Sequence, residues 1–130
     1  MVPIVTLEPG LRAEVDLTVT EDDTAIALGS GDVPVLGTPR VIALCEQATV
    51  AALAGSLDAG ATSVGIRVQV DHLAPTAVGV VVTAEAVTEK VEGKRITFTV
   101  SVHDPRGLIA AGKVTRVIVD RDRFLEKLNS

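Results

Sequence analysis

The sequence predicts an α+β protein in which an antiparallel sheet wraps around one long buried helix. Stretches in which apolar and polar residues alternate, such as 11–20 and 95–102, are typical of half-buried strands. The run 41–54 is apolar on nearly all sides, as expected of a buried helix. Apolar residues make up 47% of the chain and aromatic residues only 2%, so Val, Ile, Leu and Ala must form the core. Such β-branched side chains pack well on a pleated sheet.

The first half of the chain predicts strand, loop and helix in that order. Residues 11–20 alternate without a break and predict a strand, and residues 24–28 suggest a second, short strand. The Gly, Ser, Asp and Pro residues of 29–34 predict a loop. Thr38 is a suitable helix N-cap, Pro39 suits the first helical position, and Gly55 suits the end of the helix.

The second half predicts four strands, at about 64–70, 78–91, 96–102 and 108–119, followed by a short polar helix at 121–128. Tight turns at 92–94 and 104–107 make the later strands antiparallel. If the sheet curls around the helix, the arrangement is the hotdog fold. Because no composition shift or internal repeat marks a second unit, we expect residues 1–130 to form a single domain.

Charge and composition argue against several kinds of partner. The net charge is −5 without a cluster of Lys or Arg, which disfavours nucleic acid. No apolar run approaches the ~20 residues needed to span a bilayer. Met1 to Gly10 has no basic start, so no signal peptide is expected.

The cysteine and histidine content argues against a disulfide and against a metal site. Cys45 is the single cysteine, and His72 and His103 are the two histidines. We therefore expect a cytoplasmic protein without metal or cofactor. His103 shares the parity of Ser101 and is expected on the solvent side.

Four residues interrupt their local pattern and are candidates for function. Glu46 lies within the apolar helix, either on a wetter edge or buried with a partner. His72 follows the apolar side of a predicted strand and sits at its end, which suits either proton transfer or a structural role. Thr38 is explained by capping, although a helix start also favours a developing oxyanion. Arg116 lies in a β-branched run, where a solvent-side charge is the simpler interpretation.

These residues also carry a resemblance to a known family. The segments VLGTPRVIALCEQA, SVGIRVQVDHLAPTAVG and KVTRVIVDRDRFLEKL resemble the fluoroacetyl-CoA thioesterase family of hotdog enzymes. The family's catalytic threonine and glutamate, eight positions apart, fall on Thr38 and Glu46. Its glycine, followed seven positions later by a histidine, falls on Gly65 and His72, and its last-strand arginine falls on Arg116.

The resemblance implies hydrolysis of an acyl-CoA thioester without a cofactor. It also implies an active site at the interface of a homodimer, and a dimer of dimers is left open. The fluoroacetyl-specific enzyme closes its site with aromatic residues before the threonine, whereas no aromatic occurs here between Thr20 and Gly37. We therefore expect a general short-chain acyl substrate.

The resemblance gives each candidate residue an expected role. His72 is the expected general base, and Thr38 or Glu46 supplies the nucleophile or orients water. Backbone N–H groups of the helix start or of Gly65 are expected to bind the oxyanion, and Arg116 to contact a CoA phosphate or hold the pocket. Eight helical residues rise about 12 Å, so Thr38 and Glu46 of one chain cannot hydrogen-bond directly. Either substrate or water spans them, or the site combines residues of two protomers, and the resemblance implies the second.

Two other functions stay open on sequence alone. One is a non-catalytic hotdog dimer that binds an acyl thioester. The other is a hotdog hydratase or dehydratase, although such enzymes usually carry an Asp/His pair on the helix and its preceding loop, and this helix offers Glu46 and no histidine.

Overall fold

A computed structural model describes residues 7–129. Along the chain the elements are β1 (Arg12–Thr18), α1 (Ala25–Leu28), α2 (Thr38–Leu53), β2 (Ala61–His72), β3 (Val81–Glu92), β4 (Arg95–Asp104), β5 (Gly107–Asp120) and α3 (Arg121–Glu126). Single 3-10 turns cover Glu21–Asp23 and Lys127–Asn129. Most of the segment in which no signal peptide was expected, residues 1–6, lies outside the described residues. No helix within residues 7–129 is long and apolar enough to cross a bilayer.

The five strands form one antiparallel sheet in the order β1-β3-β4-β5-β2, which curls around α2. The alternation in β4 buries every second residue against the helix, because successive side chains of a strand point to opposite faces. The buried side chains from this strand are Ile96, Phe98, Val100 and Val102. This arrangement confirms the predicted α+β hotdog fold.

Helix α2 is buried on one side and exposed on the other. The side facing the sheet presents Val41, Leu44, Cys45, Ala48, Thr49, Ala52 and Leu53. On the opposite side, Ala43, Gln47 and Val50 are exposed, with Val50 at 50%. The apolar sequence of α2 predicted burial on nearly all sides, whereas nothing among residues 7–129 covers that second side. We define the outer stripe of α2 as Ala43, Gln47 and Val50.

Two local predictions near the start of α2 are wrong. Residues 24–28 form a helical turn rather than a strand, because Thr24 Oγ1 accepts from the Ala27 N–H at 3.2 Å and Gly29 ends the turn in the left-handed region. The N-cap of α2 is Gly37, not Thr38, which is the first helical residue. The Thr38 hydroxyl is therefore not used for capping.

Strand β2 contains a β-bulge at Ile66. Gly65 lies opposite Arg116 and Arg67 lies opposite Thr115, which leaves Ile66 as an extra residue. Ile66 is 48% exposed, whereas a strictly alternating strand would direct it toward α2.

The bulge changes which side chains of β2 face the helix. Val68, Val70 and His72 lie opposite residues on the inner face of β5, as the alternation predicts. Before the bulge the sides are exchanged, and Gly65 rather than Val64 faces α2. The alternation of Val64, Ile66, Val68 and Val70 in the sequence predicts that Val64 shares the helix-facing side, and this prediction is wrong.

Candidate active site

The first group of candidate residues lies where α2 begins and β2 ends. Thr38 Oγ1 and His72 Nδ1 are 2.8 Å apart, within hydrogen-bond distance. Thr38 is exposed and His72 is half-buried. The structure thus brings together two of the sequence-predicted residues, and we call them the His72 end of the site.

The surroundings of the histidine in this pair disfavour its charged form. Burial lowers the pKa of His72 below its ordinary value, and a backbone contact with Ala74 opposes the shift only in part. Its Nε2 atom is buried and has no hydrogen-bond partner among the described residues. A neutral imidazole in contact with a hydroxyl can accept a proton from it, which is the requirement for a general base.

A cavity of about 330 Å³ opens beside the His72 end. One wall is the loop between α1 and α2, from Ser30 to Gly37, and the other is the segment from His72 to Pro75. Because Thr38 and His72 both line this space, a ligand in it would lie against the hydroxyl and the imidazole.

The second group of candidate residues lies toward the start of β2 and consists of Glu46, Gly65 and Arg116. We call it the Glu46 end. Arg116 Nη1 is 3.2 Å from Glu46 Oε2, and the arginine side chain is only 8% exposed. Its other two nitrogens donate to Ser63, Nε to the hydroxyl at 2.8 Å and Nη2 to the carbonyl at 3.0 Å. Burial lowers the pKa of Arg116, and the charge of Glu46 and its hydrogen bond with the guanidinium oppose this shift in part.

This arrangement corrects two sequence-based interpretations. Arg116 is not a solvent-side charge, because it is buried and all three of its nitrogens are engaged. Glu46 does have a partner, while its side chain stays 35% exposed. It lies next to the outer stripe of α2, with which it lines an open depression of about 360 Å³.

Gly65 leaves the space that the Glu46 carboxylate occupies. A Cβ at this position would overlap Glu46 Oε2 and lie 3.4 Å from Arg116 Nη1. Glycine therefore lets the carboxylate rest against strand β2. The predicted site residues thus form two groups, Thr38 with His72 and Glu46 with Gly65 and Arg116.

The two groups are far apart within one chain. Gly65 and His72 stand near opposite ends of β2, and seven strand residues span roughly 20 Å. The helix separates Thr38 from Glu46 by about 12 Å. No contact in residues 7–129 joins the His72 end to the Glu46 end.

Ser63 is a site residue that the sequence analysis did not find. It accepts two of the three hydrogen bonds that orient Arg116. No sequence signal marks Ser63. On a regular strand it shares the side of Gly65, Arg67 and Gln69, which alternation predicts to face solvent. Cys45 is buried beside Glu46 and is no nucleophile, since burial and then the Glu46 charge raise its pKa to about 11.

The chain is similar in sequence and fold to known proteins. The chain is 35% identical over 94 residues to the fluoroacetyl-CoA thioesterase of Streptantibioticus cattleyicolor, covering 72% of this chain and 68% of the relative. A solved structure of the fluoroacetyl-CoA thioesterase FlK is 30% identical with a TM-score of 0.90, over 95% of this chain and 96% of that one. A hot-dog-like protein from Thermanaerovibrio acidaminovorans is 29% identical with a TM-score of 0.85, over 92% and 89%.

These similarities define the class of the protein as a thioesterase of the hotdog fold. The sequence model of the fluoroacetyl-CoA-specific thioesterase family matches residues 19–122, a range that contains both ends of the site. The chain belongs to this family, as the sequence motifs predicted.

Proposed function

We propose that this thioester hydrolase cleaves acyl-CoA thioesters to a carboxylic acid and free CoA at a site built by two protomers. Each site combines the His72 end of one chain with the Glu46 end of its partner. The observation that carries the proposal is the 2.8 Å contact between Thr38 Oγ1 and His72 Nδ1 at the edge of a cavity.

The chemistry at the His72 end follows from the neutral imidazole. With its ring proton on Nε2, His72 accepts a hydrogen bond from the Thr38 hydroxyl through Nδ1. It then removes a proton from the attacking oxygen, which belongs to Thr38 or to a water that Glu46 of the partner orients. The new C–O bond replaces the C–S bond, and the proton passes to the departing CoA sulfur. Attack by water gives the carboxylic acid directly. Attack by Thr38 gives an acyl ester of Thr38, which a water deprotonated by His72 then cleaves, so that the acid leaves and the proton returns to the Thr38 oxygen.

The start of α2 supplies a donor for the oxyanion. Pro39 has no N–H, and the N–H groups of Arg40 and Val41 both donate to the Gly37 carbonyl, at 3.0 and 3.1 Å. The Gly37 N–H donates to the Asp23 carbonyl at 2.9 Å. The Thr38 N–H is therefore the group of this turn that remains for the thioester oxygen, next to the Thr38 hydroxyl.

Strand β2 supports the pairing of two chains. It is an edge strand of 12 residues, and unpaired edges of this length offer N–H and C=O groups to a second strand. An antiparallel pair of β2 strands about a two-fold axis at Gln69 pairs Val68 with Val70. Because the bulge at Ile66 adds one residue to each strand, this pairing brings His72 of one chain opposite Gly65 of the other. The same pairing places a partner near the outer stripe of α2.

At the Glu46 end, the buried arginine acts as a positioning residue. Arg116 fixes one carboxylate oxygen of Glu46, and the 35% exposure of that side chain leaves the other oxygen for water or substrate. The proposed reaction uses no cofactor other than the CoA of the substrate. The cytoplasmic location expected from the sequence stays a prediction.

Mixing two inactive variants tests the shared site. We expect His72→Ala and Glu46→Gln each to lower the release of CoA from acetyl- and butyryl-CoA by roughly 100-fold or more. After co-expression, mixed dimers carry one site with both residues intact. An equal mixture should recover about a quarter of wild-type activity, because half of the dimers are mixed and each has one working site.

A matched control pairs His72→Ala with the double variant His72→Ala/Glu46→Gln, which leaves no intact site in any dimer. Circular dichroism and light scattering establish that every variant is folded and dimeric. An active monomer, or mixed dimers no more active than the control, would contradict the shared site. CoA binding without turnover of any acyl-CoA would contradict the hydrolase proposal and favour the binding domain.

A further inference from the structure

The cavity beside the His72 end has an asymmetric charge. Among the residues that line it, the ionisable ones are His72 and Asp32. Burial lowers the pKa of His72, which leaves the imidazole uncharged near neutral pH. Asp32 is exposed, and the ion pairs described within residues 7–129 do not include it. The lining therefore carries one negative charge and no positive one.

The remaining lining is apolar or small. Apolar walls come from the loop before α2 and from the segment after β2, and the residues are Val33, Val35, Leu36, Leu73, Ala74 and Pro75. No aromatic side chain lines the cavity. A volume of about 330 Å³ is large enough for an acyl chain of several carbons.

From this lining, and resting on the proposed function, we propose that Asp32 is a specificity-determining residue that selects uncharged short-chain acyl groups over acyl groups ending in a carboxylate. Within the chain's own lining, a terminal carboxylate in the cavity would meet the Asp32 carboxylate and no cation, and the Glu46 end of the partner brings its arginine already paired with Glu46. The phosphates of CoA are common to all substrates, so their interaction with Asp32 cancels when two acyl groups are compared.

The expected effect is moderate because the cavity is open to water. Two like charges several ångströms apart in such a setting change a rate ratio roughly fivefold. Salt should reduce the effect, since exposed charges are screened within about 10 Å at 0.1 M ionic strength.

The experiment compares kcat/KM for butyryl-CoA and succinyl-CoA, which both have four acyl carbons and differ by the terminal carboxylate. We expect the wild type to prefer butyryl-CoA. Asp32→Asn should raise the succinyl-to-butyryl ratio about fivefold and Asp32→Lys about 25-fold, with smaller changes at high salt. Asp122→Asn, in α3 and outside the cavity, removes the same charge and should leave the ratio unchanged.

Two results would overturn the proposal, and they are distinguishable. If the wild type hydrolyses butyryl-CoA but Asp32→Asn and Asp32→Lys give the same ratio as Asp122→Asn, selection by Asp32 is wrong and the hydrolase stands. If the wild type hydrolyses neither thioester nor any other acyl-CoA, the proposed function fails, and the selectivity fails with it.

Discussion

The His72 end and the Glu46 end of β2 hold their side chains in opposite ways. At the His72 end, a single hydrogen bond joins two uncharged groups, and one ring nitrogen has no partner. At the Glu46 end, a buried guanidinium donates three hydrogen bonds, two of them to Ser63. The first end leaves one buried polar atom unsatisfied among the described residues, whereas the second satisfies its charge within the chain.

The difference follows from position in the fold. The His72 end lies at the open start of a helix, where a cavity reaches the hydroxyl. The Glu46 end lies within the sheet, where an unpaired charge would be costly and a pre-organised pair is the stable solution. We infer that the site separates its reactive groups from the groups that only need to stay in place.

Among the substitutions that test this contrast between the two ends, the largest effect is expected from adding a side chain at Gly65. Gly65→Ala places a methyl group where Glu46 Oε2 lies, and the flexible glutamate gives way rather than the sheet. A displacement of about 1 Å in a positioned group can cost ~100-fold in rate, so we expect a loss of kcat of this order. The measurement is steady-state kinetics, with thermal unfolding to check that stability changes little.

A second substitution sharpens this prediction. Adding Glu46→Asp to Gly65→Ala shortens the acid and makes room for the methyl group, so part of the activity should return. Wild-type kcat in the single variant would show that the Glu46–Arg116 contact has no part in the reaction.

A smaller effect is expected at Ser63, which orients Arg116. Ser63→Ala leaves the buried Nε of Arg116 without its acceptor, at a cost of about 1–3 kcal/mol. We expect kcat to fall about tenfold with KM nearly unchanged, and Ser63→Thr to restore it by returning the hydroxyl. Ser101→Ala, a half-buried serine of β4, is the control. Equal losses in both alanine variants would mean that the effect is on stability alone.

The smallest effect is the position of the acidic limb in the pH profile. His72 acts as a base only when neutral, so kcat/KM falls as pH drops through its pKa. Burial lowers that pKa from 6.5, so the midpoint of the decline should lie below 6.5. A profile of kcat/KM between pH 5 and 8 measures it, and a midpoint above 6.5 would contradict a neutral buried base.

The sequence predicted those parts of the molecule that depend on local periodicity. Ile96, Phe98, Val100 and Val102 are buried as alternation requires, because the pleat of a strand fixes the side of each residue. The cap of α2 was assigned one residue late, because glycine and threonine both tolerate that position and the choice depends on tertiary contacts.

The partners across the sheet were beyond sequence reasoning. Arg116 and Glu46 are 70 positions apart, and nothing local indicates that they meet. Ser63 could be assigned to the inner side only after the bulge was known. The family motifs identified Gly65 and Arg116, but the reason that each is present came from the contacts.

The bulge at Ile66 has a consequence for counting residues. Gly65 and His72 are separated by an odd number of positions, which on a regular strand would turn them to opposite faces. Because Ile66 is an extra residue, the effective spacing between Gly65 and His72 is even, and both residues face the same side of the sheet. The spacing in the sequence and the irregularity in the backbone therefore depend on each other. A chain that kept all its residues here but paired them without the bulge would keep every functional side chain and turn either Gly65 or His72 away from the helix.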